Sequence, residues 1–189
     1  QQVVAGLSFQ AVKHLHANVD LGWVNWSAYE SPTAQTTAHL AAELPPGVNI
    51  ELPADPKAVD VVPPAFKDRL VPRVGVEYML GFGSERKVSG HEKPMRAFEV
   101  PLRLGYVYEA SPVPPQTGRT NFVDTDRHTV SFGTGIVLNA PSAILPGSLR
   151  LDVHAAVSVL PERITYKANP ADFVGDYRAD GTMITGGAT

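Results

Sequence analysis

The chain contains no cysteine, which excludes disulfide scaffolds and thiolate metal sites. It has no apolar run near the ~18 residues of a membrane-spanning helix. That absence leaves membrane β-strands open, because their residues alternate and score low on hydropathy. Basic charge is not in excess: 16 Lys and Arg stand against 19 Asp and Glu, a net charge of -3. Such a balance offers no face for nucleic-acid phosphates. Catalytic signatures are missing too. The histidines at 14, 16, 39, 91, 128 and 154 show no ligand spacing. Ser8, Ser131 and Ser158 lack the surroundings of a nucleophile elbow, and no glycine-rich phosphate loop occurs. The expectation is a non-enzyme without cofactor or metal. No signal peptide is visible, and the chain opens at Gln1 directly in a strand-like pattern, as a fragment or a processed chain would.

What is present is alternation. Apolar residues make up 43% and charged residues 19%, a composition that folds. The 17 prolines and 16 glycines fall mainly between six segments of period two. These run over 2–12, 15–29, 68–81, 96–110, 127–139 and from 149 onward, with 13–14 as a tight turn. In the third, Leu70, Val74, Val76, Tyr78 and Leu80 share one face, and Arg73, Gly75 and Glu77 share the other. The fourth sets Phe98, Val100, Leu102, Leu104, Tyr106 and Tyr108 against Glu99, Arg103, Gly105 and Glu109. Successive side chains of a strand point to opposite faces, so every segment has an apolar and a polar side. After Leu160-Pro161 the phase slips, the sign of a bulge or a strand end.

Alternation also occurs in soluble sandwiches, but three features favour a membrane barrel. Each segment outruns the ~5–6 residues of soluble strands and reaches the ~9–11 that a tilted membrane strand needs. Connections alternate in length: short at 13–14, long at 30–67, intermediate at 82–95, long at 111–126, short at 140–148, then a long segment at 168–189. Outer-membrane barrels pair short periplasmic turns with long external loops in this way. Aromatics gather near segment ends, with Trp23, Trp26, Tyr29, Tyr106, Tyr108 and Tyr166 at one rim and Tyr78, Phe82 and Phe98 at the other, the headgroup levels. The expected fold is all-β: an antiparallel up-and-down transmembrane β-barrel, of which residues 1–189 supply about six strands of one domain. Pro72 and Pro101 fall inside strands, near their starts, where a lost donor costs least. Six strands cannot close in lipid, so the chain is a part, an oligomer subunit or a soluble sheet.

Arg73, Glu77, Glu99, Arg103, Glu109, Arg127, Arg150 and Asp152 all fall on the polar face, which in a barrel lines the lumen. They make either a polar conduit or a wall of cross-strand ion pairs. Arg73 or Arg103 is expected to pair with Glu77, Glu99 or Asp152. The cluster Asp124-Thr125-Asp126-Arg127-His128 reads as a loop-to-strand junction held by ion pairs and side-chain caps. Leu40 to Leu44 fits one helical turn. In loop 30–67, apolar residues lie between prolines. Val48, Ile50, Leu52 and Phe66, with Trp26 at the rim, are candidates for capturing a hydrophobic ligand.

Several stretches together resemble the FadL-type outer-membrane transporters of long-chain fatty acids and other hydrophobic compounds. Pro72-Arg73-Val74-Gly75-Val76-Glu77-Tyr78 is similar to one strand of that family. The run Pro101-Leu102-Arg103-Leu104-Gly105-Tyr106, continued by Tyr108 and by Ser111-Pro112-Val113-Pro114, is similar to its next strand and loop. Asp124, Asp126, Arg127, His128, Ser131, Gly133 and Gly135 fit the strand after that, and Val24-Asn25-Trp26-Ser27 fits a strand end. Order and spacing agree over about residues 5–165. The resemblance implies a monomeric fourteen-stranded barrel in the bacterial outer membrane, plugged by an N-terminal hatch. This chain would be its C-terminal half, without the hatch, the early strands and the final closing strand. It also implies passive passage of a hydrophobic small molecule (a fatty acid or a hydrocarbon), with outer-membrane lipid as the surrounding partner. Two other readings of the residues stand beside it: a structural or adhesion barrel without transport, and a soluble β-sheet lipid-binding domain.

Overall fold

The computed structural model describes residues 1–30, 64–114, 122–167, 169–171 and 175–189. They form one antiparallel sheet of seven strands in chain order, β1 to β7. The strands are β1 (Gln2–Val12), β2 (Leu15–Val24), β3 (Arg69–Arg86), β4 (Met95–Glu109), β5 (Arg127–Asn139), β6 (Ser148–Thr165) and β7 (Tyr177–Ala188). Each pairs only with its neighbours in sequence, and β1 and β7 are the two edges, so the described sheet is open. Among the described residues there is no helix. The helical turn expected at Leu40 to Leu44 lies outside them.

Four of the six expected segments agree closely with strands, while the third runs on to Arg86, through the first five residues of the connection expected at 82–95. The second is shorter, ending at Val24. There Asn25 turns the chain, its side-chain oxygen accepting from the Ser27 hydroxyl and the Ala28 amide at 3.0 and 3.2 Å. Trp26 and Tyr29 therefore sit beyond the strand end. The phase slip at Leu160-Pro161 is a bulge: the β6–β7 register shifts between Leu160 and Arg163, and β6 continues to Thr165. Two expectations fail. Residues 168–189 are not a long loop, because Tyr177–Ala188 is a strand paired along β6. The sheet thus has seven strands where about six were expected. That stretch is rich in glycine and threonine and alternates weakly. Pairing with the free edge of β6 makes it a strand, an instance of context overriding intrinsic propensity.

Register carries the alternation across the whole sheet. One row reads Phe9, Ala17, Val76, Leu104, Phe132, Ala155 and Gly186, each directly opposite the next. The row beside it reads Leu7, Val19, Val74, Tyr106, Val130, Val157 and Ile184. On the opposite face the rows are small or polar, such as Ser8, Asn18, Gly75, Gly105, Ser131, Ala156 and Thr185. Burial is inverted relative to a soluble sheet. The apolar rows are exposed (Leu104 54%, Phe132 52%, Leu7 76%), and the described buried hydrophobic residues are four valines, Val71, Val88, Val113 and Val137. In β3 and β4 the polar face is the more enclosed one. It is concave, since a single cleft on it touches Gln2 of β1 and Leu160 of β6.

The rims differ. At one, β1–β2, β3–β4 and β5–β6 are joined through 13–14, 87–94 and 140–147, and the tightest of these turns places His14 at φ 71°. At the other lie the connections 25–68, 110–126 and 166–176, the alternation expected from the sequence. The short rim is fastened by Asn139, which is fully buried. Its amide donates to the Arg96 carbonyl at 2.7 Å and to Glu99 at 3.1 Å, and its oxygen accepts from Ser148 at 2.5 Å. One side chain so joins β4, β5 and β6.

Candidate functional site on the concave face

Midway along the concave face, carboxylates and guanidinium groups form a ladder. Arg103 Nε donates to Glu77 at 2.5 Å and Nη1 donates to Asp152 at 2.7 Å. Asp152 also accepts from Arg150. The ladder reaches from β3 to β6 because β5 is bare beneath it. Gly133 lies opposite Arg103, and Gly135 lies opposite Asp152. A Cβ at Gly135 would press on the Asp152 carboxylate and stand 2.6 Å from the Leu151 carbonyl oxygen. The expected pairing of Arg103 is thus present, with Glu77 and Asp152 as partners. Glu99 lies apart, against Asn139 at the short rim. Arg103 Nη2 is buried without a partner, beside a groove of about 490 Å³ that includes Ser8, His16, Asn18 and Ser131.

Near the long-loop rim, the segment after β4 folds inward, so that Ser111 and Val113 are 4% and 6% exposed. Arg163, delivered by the bulge in β6, holds it. Its guanidinium donates to the Ser111 hydroxyl at 3.2 Å, the Asp124 carbonyl at 3.1 Å and the Val113 carbonyl at 2.9 Å. Asp126 accepts from the Ser111 amide and the Tyr108 hydroxyl, both at 2.8 Å. The Ser111 amide, then the Tyr108 hydroxyl, with Arg69 and Arg163 nearby, hold the Asp126 carboxyl below its ordinary value against the opposing effect of burial. Arg127 pairs with Glu109 at 2.7 Å. The junction expected at Asp124 to His128 is therefore held by the Arg127–Glu109 ion pair and by the bonds of Asp126 back to Ser111 and Tyr108, not by caps local to the loop.

Beneath this segment lies a cleft of about 370 Å³. Its apolar lining includes Val24, Val71, Ala110, Pro112 and Leu160, and its charged lining is Arg69, Arg73, Arg127, Glu109 and Asp124. Trp26 borders it and also belongs to an aromatic cluster at the rim. Trp26 meets Phe66 edge-on at 6.3 Å, Tyr29 stacks on Phe66 at 5.4 Å, and Phe66 meets Phe122 at 4.9 Å. Two of the expected capture residues, Trp26 and Phe66, are hence brought together; Val48, Ile50 and Leu52 lie outside the described residues.

Arg73, the other arginine offered for this pairing, takes no part in it. Glu77 is four residues along its own strand and is engaged by Arg103. The acid directly opposite Arg73 is Asp20, but its carboxylate leans over Gly6 of β1, whereas the Arg73 guanidinium leans over Gly22. Among the described residues Arg73 has neither an ion-pair nor a hydrogen-bond partner. Sequence reasoning also missed Arg69, Ser111, Asn139, Phe122 and Arg163. For Arg163 a signal existed: a cation just past the phase slip, where a bulge re-aims side chains. Comparison with models of protein families, with curated proteins and with solved structures found no match to this chain.

Proposed function

We propose that this sheet is wall of a β-barrel in the bacterial outer membrane, and that the protein passes hydrophobic molecules through it without energy coupling. The observation carrying this reading is the inverted amphipathicity: apolar rows exposed on the outer face and charged, hydrogen-bonded rows enclosed on the concave one. Water penalises such a face and lipid favours it, at about 25 cal/mol per Å² of apolar surface. Dimensions agree. From Leu70 to Phe82 the outward residues of β3 cover 12 steps of ~3.3 Å, which at a ~45° tilt span ~28 Å, against an apolar band ~25 Å tall in such barrels. The free edges β1 and β7 would be paired in lipid, since an open edge there leaves backbone groups unsatisfied.

The substrate class rests on the resemblance to FadL-type transporters and on the aromatic cluster of exposed Trp26 and Tyr29 with half-buried Phe66 above an apolar-lined cleft. Greasy residues at the mouth collect amphiphiles by burial alone. The test is uptake by intact cells. Trp26→Ser with Phe66→Ser should slow entry of a hydrophobic compound severalfold while the barrel still assembles. Normal assembly with unchanged uptake would remove the transport role.

A further inference from the structure

We propose that segment 111–114 is a fixed constriction at the long-loop mouth of the barrel, locked there by Arg163, and that it keeps ions and small hydrophilic solutes out. This rests on the barrel reading but not on the nature of the substrate. A connecting segment ordinarily stays on the surface, because burial leaves its backbone polar groups unpaired. This one runs inward, with Ser111 and Val113 buried, and its backbone groups are engaged. The Ser111 amide donates to Asp126 at 2.8 Å, and the Ser111 carbonyl accepts from Arg69 at 2.6 Å. The Pro112 carbonyl accepts from the Lys67 amide at 3.0 Å. The Val113 amide donates to the Ser111 hydroxyl at 3.2 Å, and the Val113 carbonyl accepts from Arg163 at 2.9 Å. Pro112 and Pro114 have no N–H to satisfy, so no backbone donor is left over.

The fastening crosses the wall. The segment leaves β4, yet its partners stand on both sides of that strand, Arg69 on β3 and Arg163 on β6. It is therefore tied past β5 to the strand beyond. Arg163 also donates to the Asp124 carbonyl at 3.1 Å. One guanidinium thus clamps both arms of the connection, the one leaving β4 and the one entering β5, through charge-assisted bonds, which are the strong kind. Thr125 secures the second arm, its hydroxyl donating to the Pro161 carbonyl at 2.6 Å. Clefts of about 370 and 360 Å³ adjoin the segment. Deeper in, the concave face has low relief, with Gly75, Gly105 and Ser131 side by side. There the wall leaves the interior wide, whereas at the mouth a length of backbone projects over it. Every tie is a contact between described residues, so further wall would deepen the burial without removing one.

The test is the ionic conductance of the full-length protein in planar bilayers, with thiol labelling to follow the segment. Native protein should pass little current in potassium chloride. Arg163→Ala should raise the unitary conductance severalfold, and Arg163→Lys, which keeps a charged donor, should raise it less. With Val113→Cys as the reporter, a water-soluble thiol reagent should react slowly, and roughly tenfold faster once Arg163→Ala opens the segment. Should Arg163→Ala fail to assemble, Pro112→Gly with Pro114→Gly decides instead. That pair changes no strand, adds two unpaired donors and should raise conductance likewise. An open-pore current in native protein, or unchanged conductance in an inserted variant, would overturn the constriction. Slow labelling of Val113→Cys despite Arg163→Ala would overturn the role of Arg163. Native protein that does not insert into the bilayer at all would sink the barrel reading instead.

Discussion

At the residue scale, the concave face is organised by what each guanidinium can reach. Arg103 spans two strands because glycine replaces a side chain on the strand between. Arg103→Ala would strand the Glu77 carboxylate on a partly enclosed surface and leave Asp152 with Arg150 alone. Charged hydrogen bonds are worth about 1.5–3 kcal/mol each, so a loss of about 2–3 kcal/mol in denaturant unfolding is expected. Gly135→Ala should cost a comparable amount by displacing Asp152, although alanine is otherwise the milder residue. Asp126 provides a pH handle. Its carboxyl is held below the ordinary aspartate value of ~3.9, so its contribution is fully present above that value and is lost as pH falls through the depressed folded value. Protection of the Ser111 and Val113 amides, taken relative to the intrinsic exchange rate at each pH, should therefore fall below about pH 4. Asp126→Asn should exchange fast already at pH 7, with no further acceleration attributable to this group. The polar partners of Arg103 were legible in the sequence because pairs on one face of a sheet are few. The isolation of Arg73 was not, because it depends on which way Asp20 leans, and alternation fixes a face but not a rotamer.

At the scale of elements, the outward rows specify where charge is tolerated. Leu104→Arg, in the middle of an all-apolar row, should destabilise the protein by about 2–4 kcal/mol in lipid. Thr129→Arg on the opposite face should cost only about 1 kcal/mol, from loss of the Thr129–Ser158 hydrogen bond. Folding titrations in vesicles separate the two. Strands β1 to β6 could be read from the chain because one-sided burial demands strict period two, and long strands repeat the signal many times. β7 could not, because Thr182, Ile184, Gly186 and Ala188 give its outward face too little apolar character to stand out. The prolines within strands each keep a partner on one side only, Pro72 on β2 and Pro101 on β3, and the β4–β5 pairing skips Val100 and Pro101. The seven-stranded count also has a geometric consequence. β1 and β7 run in the same direction, so an all-antiparallel closure requires an odd number of further strands between them.

At the scale of the molecule, the account reduces to one claim: the greasy side of this sheet faces lipid and the charged side faces water. Transport and the role of the rim aromatics both depend on it. Site-directed spin labelling tests it most directly. Labels placed one at a time at Val76, Leu104, Phe132 and Val157, and at Ser131, Thr129 and Ser158, would be examined in the full-length protein in bilayers. The first four should relax with dissolved oxygen and be shielded from a water-soluble nickel complex, and the last three should be reached by the nickel complex instead. Nickel access at Leu104 and Phe132, with Ser131 and Thr129 shielded from it, would contradict the account.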